Sequence, residues 1–273
     1  MQNPEARMPA FAGQFYPASA SALRKQIGSF LEPVKIKEEA IACLMPHAGY
    51  LYSGKVAAQT ASRINIKDKV ILLGPNHTGY GKSLSIMTDG AWLTPLGELK
   101  IDSALAKDIL GRCRYLEEDN LAHESEHSLE VELPIMQYFK SDFQIVPIAF
   151  LFEETEVLAE LGKAIAEAIR GRGLEGNALI VASSDMTHYE PQLRAEENDR
   201  RAIEAILALD ENRLLSAAER FNISMCGLVP AYVMLVCAKA LGAKSGKLVK
   251  YATSGDVTGD KSSVVGYAGI IIS

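Results

Sequence analysis

Apolar runs of four to eight residues alternate along the chain with segments of helical periodicity. The strand-like runs cover residues 41–45, 70–73, 143–150 and 178–182. The segment 155–170 carries Val157, Leu158, Leu161, Ile165 and Ile169 at the spacing of one helix face. Buried strands that alternate with helices are typical of a parallel sheet covered on both faces. We therefore predict a three-layer α/β/α fold with a central mixed, largely parallel sheet.

The same patterns place the remaining elements. Short strands are predicted at 84–88 and 99–101, around a loop with Trp92 and Pro95, and two strands close the chain at 247–253 and 264–272. Ser53 and Asp102 are predicted to cap helices at 54–64 and after residue 102, and further helices are predicted at 193–207, 212–221 and 227–241. Another helix opens in the acidic segment 124–132 and is kinked at Pro134. No repeat or linker divides the chain, so we predict one domain over residues 1–273.

Composition narrows the class of protein. A net charge of −6 argues against nucleic acid and anionic membranes as partners. The most apolar stretch, 228–241, contains Pro230 and Lys239 and is shorter than the roughly 20 residues that a bilayer requires. The four cysteines form no C-x-x-C pair, and no signal peptide precedes them. We therefore expect a soluble protein of the reducing cytoplasm.

Histidines follow the ends of two predicted strands in equivalent positions. His47 stands in Pro-His-Ala-Gly-Tyr after the first strand, and His77 stands in Gly-Pro-Asn-His-Thr-Gly after the second. The carboxyl ends of parallel strands form the usual ligand crevice, and imidazole is the commonest metal ligand. A lone histidine in a turn is usually a hydrogen-bonded structural residue, but two at one sheet edge favour a shared metal. We expect both to lie in exposed turns.

A D-x-x-H pair, Asp185 and His188, follows the fourth long strand. In one interpretation His188 is a general acid/base whose tautomer Asp185 fixes, or Asp185 is itself a metal ligand. In the other, Asp185 caps the following turn and His188 is its hydrogen-bonded neighbour. Their place at a strand end favours a role in the site.

Two further residues are candidates. Cys226 precedes an apolar helix, and a helix N-terminus lowers the pKa of a thiol and makes thiolate available. The other cysteines lie in apolar patterns and are small core residues. His127 lies in the acidic segment and is a candidate fourth imidazole or substrate contact, although acidic residues at a helix start are also ordinary complements of its dipole.

Five blocks taken together carry a family resemblance. PHAGYLYSG (46–54), LGPNHTGYG (73–81), EHSLEVELP (126–134), SSDMTHY (183–189) and MCG (225–227) resemble the Memo family, also called AmmeMemoRadiSam system protein B. That family is similar in fold to the LigB subunit of class III extradiol dioxygenases, which use non-haem Fe(II).

The resemblance implies metal ligands at His47, His77 and Cys226, with Asp185 and His188 beside them. We also expect His127 and Tyr50 to contact the substrate. It also implies association with a radical SAM protein and an AMMECR-type protein of the same system. The third ligand of the dioxygenases is a glutamate, whereas the matching residue here looks like Cys226. Thiolate favours Cu or Zn, while histidines with open positions suit Fe(II), which is the metal that we expect.

The sequence thus predicts a mononuclear, metal-dependent redox protein that acts on a small organic substrate or O2. A binding module for a peptide or a phosphorylated ligand, using the same cleft, is the first alternative. A metal-assisted hydrolase is the second, since it requires only a metal-bound water and a base.

Overall fold

The protein is described by a computed structural model that covers residues 6–34, 36–151 and 154–273. The strands are β1 (Ala42–Met45), β2 (Lys69–Pro75), β3 (Leu84–Ile86), β4 (Ala91–Thr94), β5 (Gly97–Lys100), β6 (Glu117–Glu118), β7 (Gln144–Phe150), β8 (Ala178–Ser183), β9 (His188–Glu190), β10 (Gly246–Thr253) and β11 (Val264–Ile272). The helices are α1 (Ala20–Ser29), α2 (Gly54–Ser62), α3 (Ser103–Arg112), α4 (Leu121–Glu124), α5 (Glu132–Phe139), α6 (Thr155–Gly171), α7 (Gln192–Leu207), α8 (Glu211–Phe221), α9 (Leu228–Ala240) and α10 (Gly255–Thr258).

Four parallel strands form the centre of the main sheet. The sheet runs in the order β10-β11-β1-β8-β2-β7-β3-β6, and β9 pairs with β11. The strands β1, β8, β2 and β7 are parallel, whereas β11 joins β1 and β3 joins β7 in antiparallel pairs. Nearly every residue of the central four is buried, which explains their continuous apolar sequences. The predicted α/β fold with a mixed sheet is confirmed.

Helices cover both faces of this sheet. Residues three apart on a strand point to opposite faces. In β11, a side chain at Gly266 would meet Asp199 of α7, and a side chain at Gly269 would meet Thr60 of α2. The α7 and α2 helices therefore pack on different sides, and α9 packs with α6 and α8 as well as against β2 and β8.

The register brings three strand ends to one edge. Met45 of β1 lies opposite Ser183 of β8, and Leu73 of β2 lies opposite Ala182. The segments that follow β1, β8 and β2 therefore leave the sheet side by side. These segments carry His47, Asp185 and His77.

Two local predictions near this edge are wrong. Ser53 does not cap α2, because its backbone is helical instead of extended and its oxygen accepts no N–H of the first turn. Its hydroxyl donates to the carbonyl of Ala48 at 2.7 Å and so holds the segment after β1. Pro134 does not kink a long helix: α5 begins at Glu132, and Pro134 lies in its first turn, where no backbone donor is needed.

Trp92 lies in a strand, although a loop was predicted there. The strands β4 and β5 form an antiparallel hairpin in which Trp92 opposes Leu99, and both side chains are buried. Packing of the indole against the core explains why a Gly- and Pro-flanked segment is a hairpin. Among the described residues, no helix has the length and apolar character needed to cross a membrane.

Candidate metal centre

The structure brings together His47, His77 and Cys226. One ligand atom of each lies within 4.8 Å of the others, and His47 Nε2 is 3.2 Å from Cys226 Sγ. Metal bonds of roughly 2.0 to 2.3 Å to nitrogen and sulfur place donor atoms at such separations. The three donors therefore fit a single transition-metal ion.

His47 is held from behind by its second ring nitrogen. Its Nδ1 lies 2.8 Å from Ser183 Oγ, and its backbone N–H donates to Asp185 Oδ1 at 2.9 Å. The residue is only 2% exposed, so the expectation that it lies in an exposed turn is wrong. Burial, together with the imidazoles of His127 and His77, holds its pKa well below the usual range. Neutral imidazole is the form that binds metal.

His77 is exposed, as predicted, and is held by Glu126. Its Nδ1 lies 2.9 Å from Glu126 Oε1, and its backbone N–H donates to the other carboxylate oxygen. Burial alone would raise the pKa of Glu126, but the hydrogen bond and charge of His77 lower it to about 2. The far nitrogen of each ring is thus anchored, which is the usual arrangement around metal-binding histidines.

Glu126 was missed as a site residue, because acidic residues at a helix start are ordinary complements of the dipole. The segment in fact forms no helix before Glu132, apart from the short α4. The only sequence signal was its place next to His127.

His127 lies beside the cluster. Its ring is stacked on His77 with centroids 4.6 Å apart, and it is 5.3 Å from the ring of His47. On another side it contacts Phe11 and Phe15, at 5.3 and 4.8 Å between centroids. Burial lowers its pKa to about 4 despite the nearby charge of Glu126. His77, Glu126 and His127 form a second group of possible metal ligands. One ligand atom of each lies within 4.8 Å of the others. A role of His127 as ligand or substrate contact stays a prediction.

The thiol of Cys226 does not have the lowered pKa that the sequence predicted. Burial and the charge of Asp185 raise the pKa of this thiol above its usual range. The helix α9 begins only at Leu228, so Cys226 lies outside its first turn, and the Sγ atom accepts the Asp185 N–H at 3.3 Å. A coordinated cation would reverse this effect, since metal-bound thiols are deprotonated.

Asp185 organises the backbone around His47. Its Oδ1 accepts the N–H groups of His47 and Ala48, at 2.9 and 3.3 Å. Burial nevertheless raises its pKa to about 7, with these two hydrogen bonds opposing the rise. The carboxyl group therefore changes charge close to neutral pH.

His188 is oriented by Ser224, not by Asp185. Its backbone N–H donates to Ser224 Oγ at 2.8 Å, and its ring Nδ1 lies 2.9 Å from the Ser224 carbonyl. A carbonyl only accepts, so the ring carries a proton on Nδ1, and Nε2 has no hydrogen-bond partner among the described residues. The prediction that Asp185 fixes this tautomer is wrong, because its carboxylate is turned to the segment after β1. His188 also begins the short strand β9 instead of lying in a turn.

Tyr50 is buried next to the centre, and its hydroxyl donates to the Val131 carbonyl at 2.8 Å. This bond ties the segment after β1 to the start of α5. The exposed aromatic residues of the strand-end segments are instead Tyr52, Tyr80 and Tyr189, which are 37%, 63% and 79% exposed. A substrate contact by Tyr50 stays a prediction.

Comparison with known proteins identifies the family. The family model described as "Memo-like protein" matches residues 7–271. The chain belongs to the Memo family. It is 44% identical to a MEMO1 family protein of Methanopyrus kandleri over 97% of this chain and 98% of that one. It is 46% identical to a MEMO1 family protein of Aquifex aeolicus, over 97% and 98% of the two chains.

A solved structure shares the fold at much lower sequence similarity. The crystal structure of an uncharacterized protein from Escherichia coli K12 superposes with a TM-score of 0.56 and 12% identity, over 84% of this Memo chain and 98% of that chain. This likeness concerns the fold alone. The similarity of the fold to the LigB subunit stays a prediction.

Proposed function

We propose that this Memo protein binds one transition-metal ion through His47, His77 and Cys226 and uses it for redox chemistry on a small organic substrate or O2. The observation that supports the proposal is the arrangement of the two histidines. Each has one ring nitrogen anchored, on Ser183 or Glu126, and its other nitrogen available beside the Cys226 thiol. Turns that are merely structural have no need of this anchoring.

Fe(II) is the metal that we favour, with Cu and Zn as the alternatives. Two imidazoles and one thiolate leave positions open around an ion with more than three ligands, which suits iron. When bound, such an ion would supply an electron and an open position for the substrate or for O2.

The surrounding side chains divide the remaining tasks. The Nε2 of His188 would move protons, because Ser224 holds the opposite ring nitrogen. Asp185 holds the His47 backbone in place. Phe11 and Phe15 pack against His127 and exclude water from that side.

Metal analysis of variants tests the proposal. The protein is purified without oxygen, and its metal is measured by elemental analysis and by the spectrum of the ion. We expect about one ion per chain, lost in His47→Ala, His77→Ala and Cys226→Ala. Cys237→Ala is the matched control, because it removes a buried thiol near the far end of α9. Equal metal in Cys226→Ala and Cys237→Ala would contradict the ligand assignment.

A binding module is the second candidate. The segments that carry His47, His77 and His188 each also carry one of the exposed tyrosines, Tyr52, Tyr80 and Tyr189. Exposed aromatic residues around a cleft favour peptide recognition. Metal-dependent consumption of O2 or of a reductant supports the redox protein. Peptide binding that survives the loss of metal supports the module, and hydrolysis without electron transfer supports the metal-assisted hydrolase.

Partners and location follow from the family resemblance alone. We propose that the protein acts in the cytoplasm together with a radical SAM protein and an AMMECR-type protein of the same system. Co-purification of the tagged chain from its source cells tests this association.

A further inference from the structure

Two buried glutamates of the same segment have opposite surroundings. Both Glu130 and Glu132 are 0% exposed. Glu130 forms an ion pair with Arg7 at 2.8 Å, and its oxygens also accept from the backbone N–H groups of Ala10 and Phe11 and from the Tyr16 hydroxyl. This carboxylate has every partner that an ionised group requires.

Glu132 has almost none of these partners. Its Oε1 lies 3.0 Å from Ser183 Oγ, and its Oε2 has no hydrogen-bond partner among the described residues. No ion pair to it is found in the described part of the chain either, and the charge that acts on it is the like charge of Asp185. Tyr50 and Cys43 also lie near enough to feel its charge, but the phenol donates elsewhere, to Val131. An ionised carboxylate enclosed in this way would be strongly destabilising.

The neighbours of the Ser183 hydroxyl determine which groups donate and which accept in the hydrogen bonds around it. Its Oγ has three neighbours: His47 Nδ1 at 2.8 Å, the Ser128 carbonyl at 2.7 Å and Glu132 Oε1 at 3.0 Å. A hydroxyl has one proton to give and two lone pairs. The Ser128 carbonyl can only accept, so it takes that proton. The other two neighbours must then be donors.

We propose that Glu132 is held as an un-ionised carboxylic acid that donates to Ser183 Oγ, which leaves the Ser183 proton to the Ser128 carbonyl and the proton of His47 on Nδ1. The consequence is that Nε2 of His47 presents its lone pair to Cys226 Sγ, 3.2 Å away. An ionised Glu132 would instead take the Ser183 proton away from the Ser128 carbonyl. Burial raises the pKa of Glu132 well above the usual range; the hydrogen bond with Ser183 opposes the rise, and the charge of Asp185 adds to it. The inference concerns the protein without any ion, so it stands or falls separately from the proposed redox function.

Infrared spectroscopy of the full chain tests the protonation state. The protein is labelled with ¹³C at the side-chain carboxyl of glutamate and studied without metal above the pKa of about 7 of Asp185. We expect a carbonyl band of un-ionised acid that shifts with this label. Because the label is confined to glutamate, Asp185 and Asp199 cannot produce the shift. The absence of a shifted acid band would overturn the proposal, and this measurement needs no variant.

Substitution then assigns the band and tests the hydrogen bonds of Ser183. Glu132→Gln should remove the band, whereas Glu211→Gln, the control at another buried glutamate that pairs with Lys239, should leave it. The amide of Glu132→Gln can donate as the acid does, so the ¹⁵N signals of His47 should still show one tautomer, with Nδ1 protonated. Glu132→Leu keeps the Ser128 carbonyl as the acceptor of the Ser183 proton, so we expect His47 to keep its proton on Nδ1, whereas Ser183→Ala removes the acceptor of Nδ1–H and should populate both tautomers. A proton on Nε2 of His47 in the parent would contradict the assigned hydrogen bonds.

Discussion

At the scale of single residues, a variant of His188 distinguishes a role in proton transfer from a role as metal ligand. Ser224 anchors the ring of His188 at Nδ1. We expect His188→Ala to keep its full metal content and to lose about 10² to 10⁴-fold in turnover, the usual contribution of a positioned acid or base. The measurement is metal content beside single-turnover rate. Loss of the metal would make His188 a ligand, and an unchanged rate would leave it a structural residue.

His123 leads to a prediction about acid stability. It is fully buried, and burial, aided by the charge of Arg7, lowers its pKa from the ordinary 6.5 to about 3. Between these values the unfolded chain binds more protons than the folded protein, so stability is lost as the pH falls from 6.5 towards 3. In His123→Leu the free energy of unfolding should depend less on pH in this range. Urea unfolding at several pH values measures it, and equal slopes in parent and variant would show that His123 plays no part.

The sequence predicts the residues of the metal centre better than the residues that anchor them. His47, His77 and Asp185 follow strand ends, and parallel strands end at one edge, so their convergence is a consequence of topology. Glu126 and Ser224 reach their histidines only through tertiary contacts across 49 and 36 residues of chain. No local pattern encodes such contacts.

At the scale of elements, periodicity places long helices and buried strands within a few residues, but contact with the core decides the short elements. The Trp92 hairpin and β9 are examples, since β9 exists only through its pairing with β11. The cap of α3 is confirmed, because Asp102 Oδ1 accepts the Leu105 N–H at 3.0 Å. Ser53 is not a cap because its backbone is helical (φ −101°, ψ −15°) instead of extended, and its hydroxyl is directed back to the Ala48 carbonyl.

The cap of α8 gives a prediction that is independent of the site. Asp210 Oδ1 accepts the N–H of Arg213 at 2.9 Å and so satisfies one donor of the first turn. Asp210→Ala should lower the free energy of unfolding by about 1 kcal/mol, without changing the metal content. Asp210→Asn, which keeps the acceptor, should lose much less. Denaturant titration of both variants measures the free energy of unfolding. An equal loss in the two variants would show that the charge of Asp210 matters and its capping hydrogen bond does not.

At the scale of the whole molecule, the chain's first described residues close one side of the centre. Arg7 inserts its guanidinium between distant segments: Nη1 pairs with Glu130, Nε donates to the carbonyl of His123 at 2.6 Å, and Nη2 donates to that of Glu126 at 2.8 Å. The guanidinium also lies 4.1 Å from the ring centroid of Trp92. The segment that follows carries the two phenylalanines that contact His127. Stability and the shape of the site are therefore coupled through one buried ion pair.

A double-mutant cycle on this ion pair tests the coupling. Arg7→Met leaves the buried Glu130 carboxylate without its counter-charge and should cost about 3 to 5 kcal/mol of unfolding free energy. Glu130→Gln alone should cost a similar amount, because it strands the buried guanidinium. The double variant should lose clearly less than the sum, since neither charge is then left unpaired. Chemical denaturation of the four proteins gives the coupling energy. Simple additivity would mean that Arg7 stabilises the fold through its contacts with the backbone and Trp92, and that the N-terminal segment is held independently of the charge on Glu130.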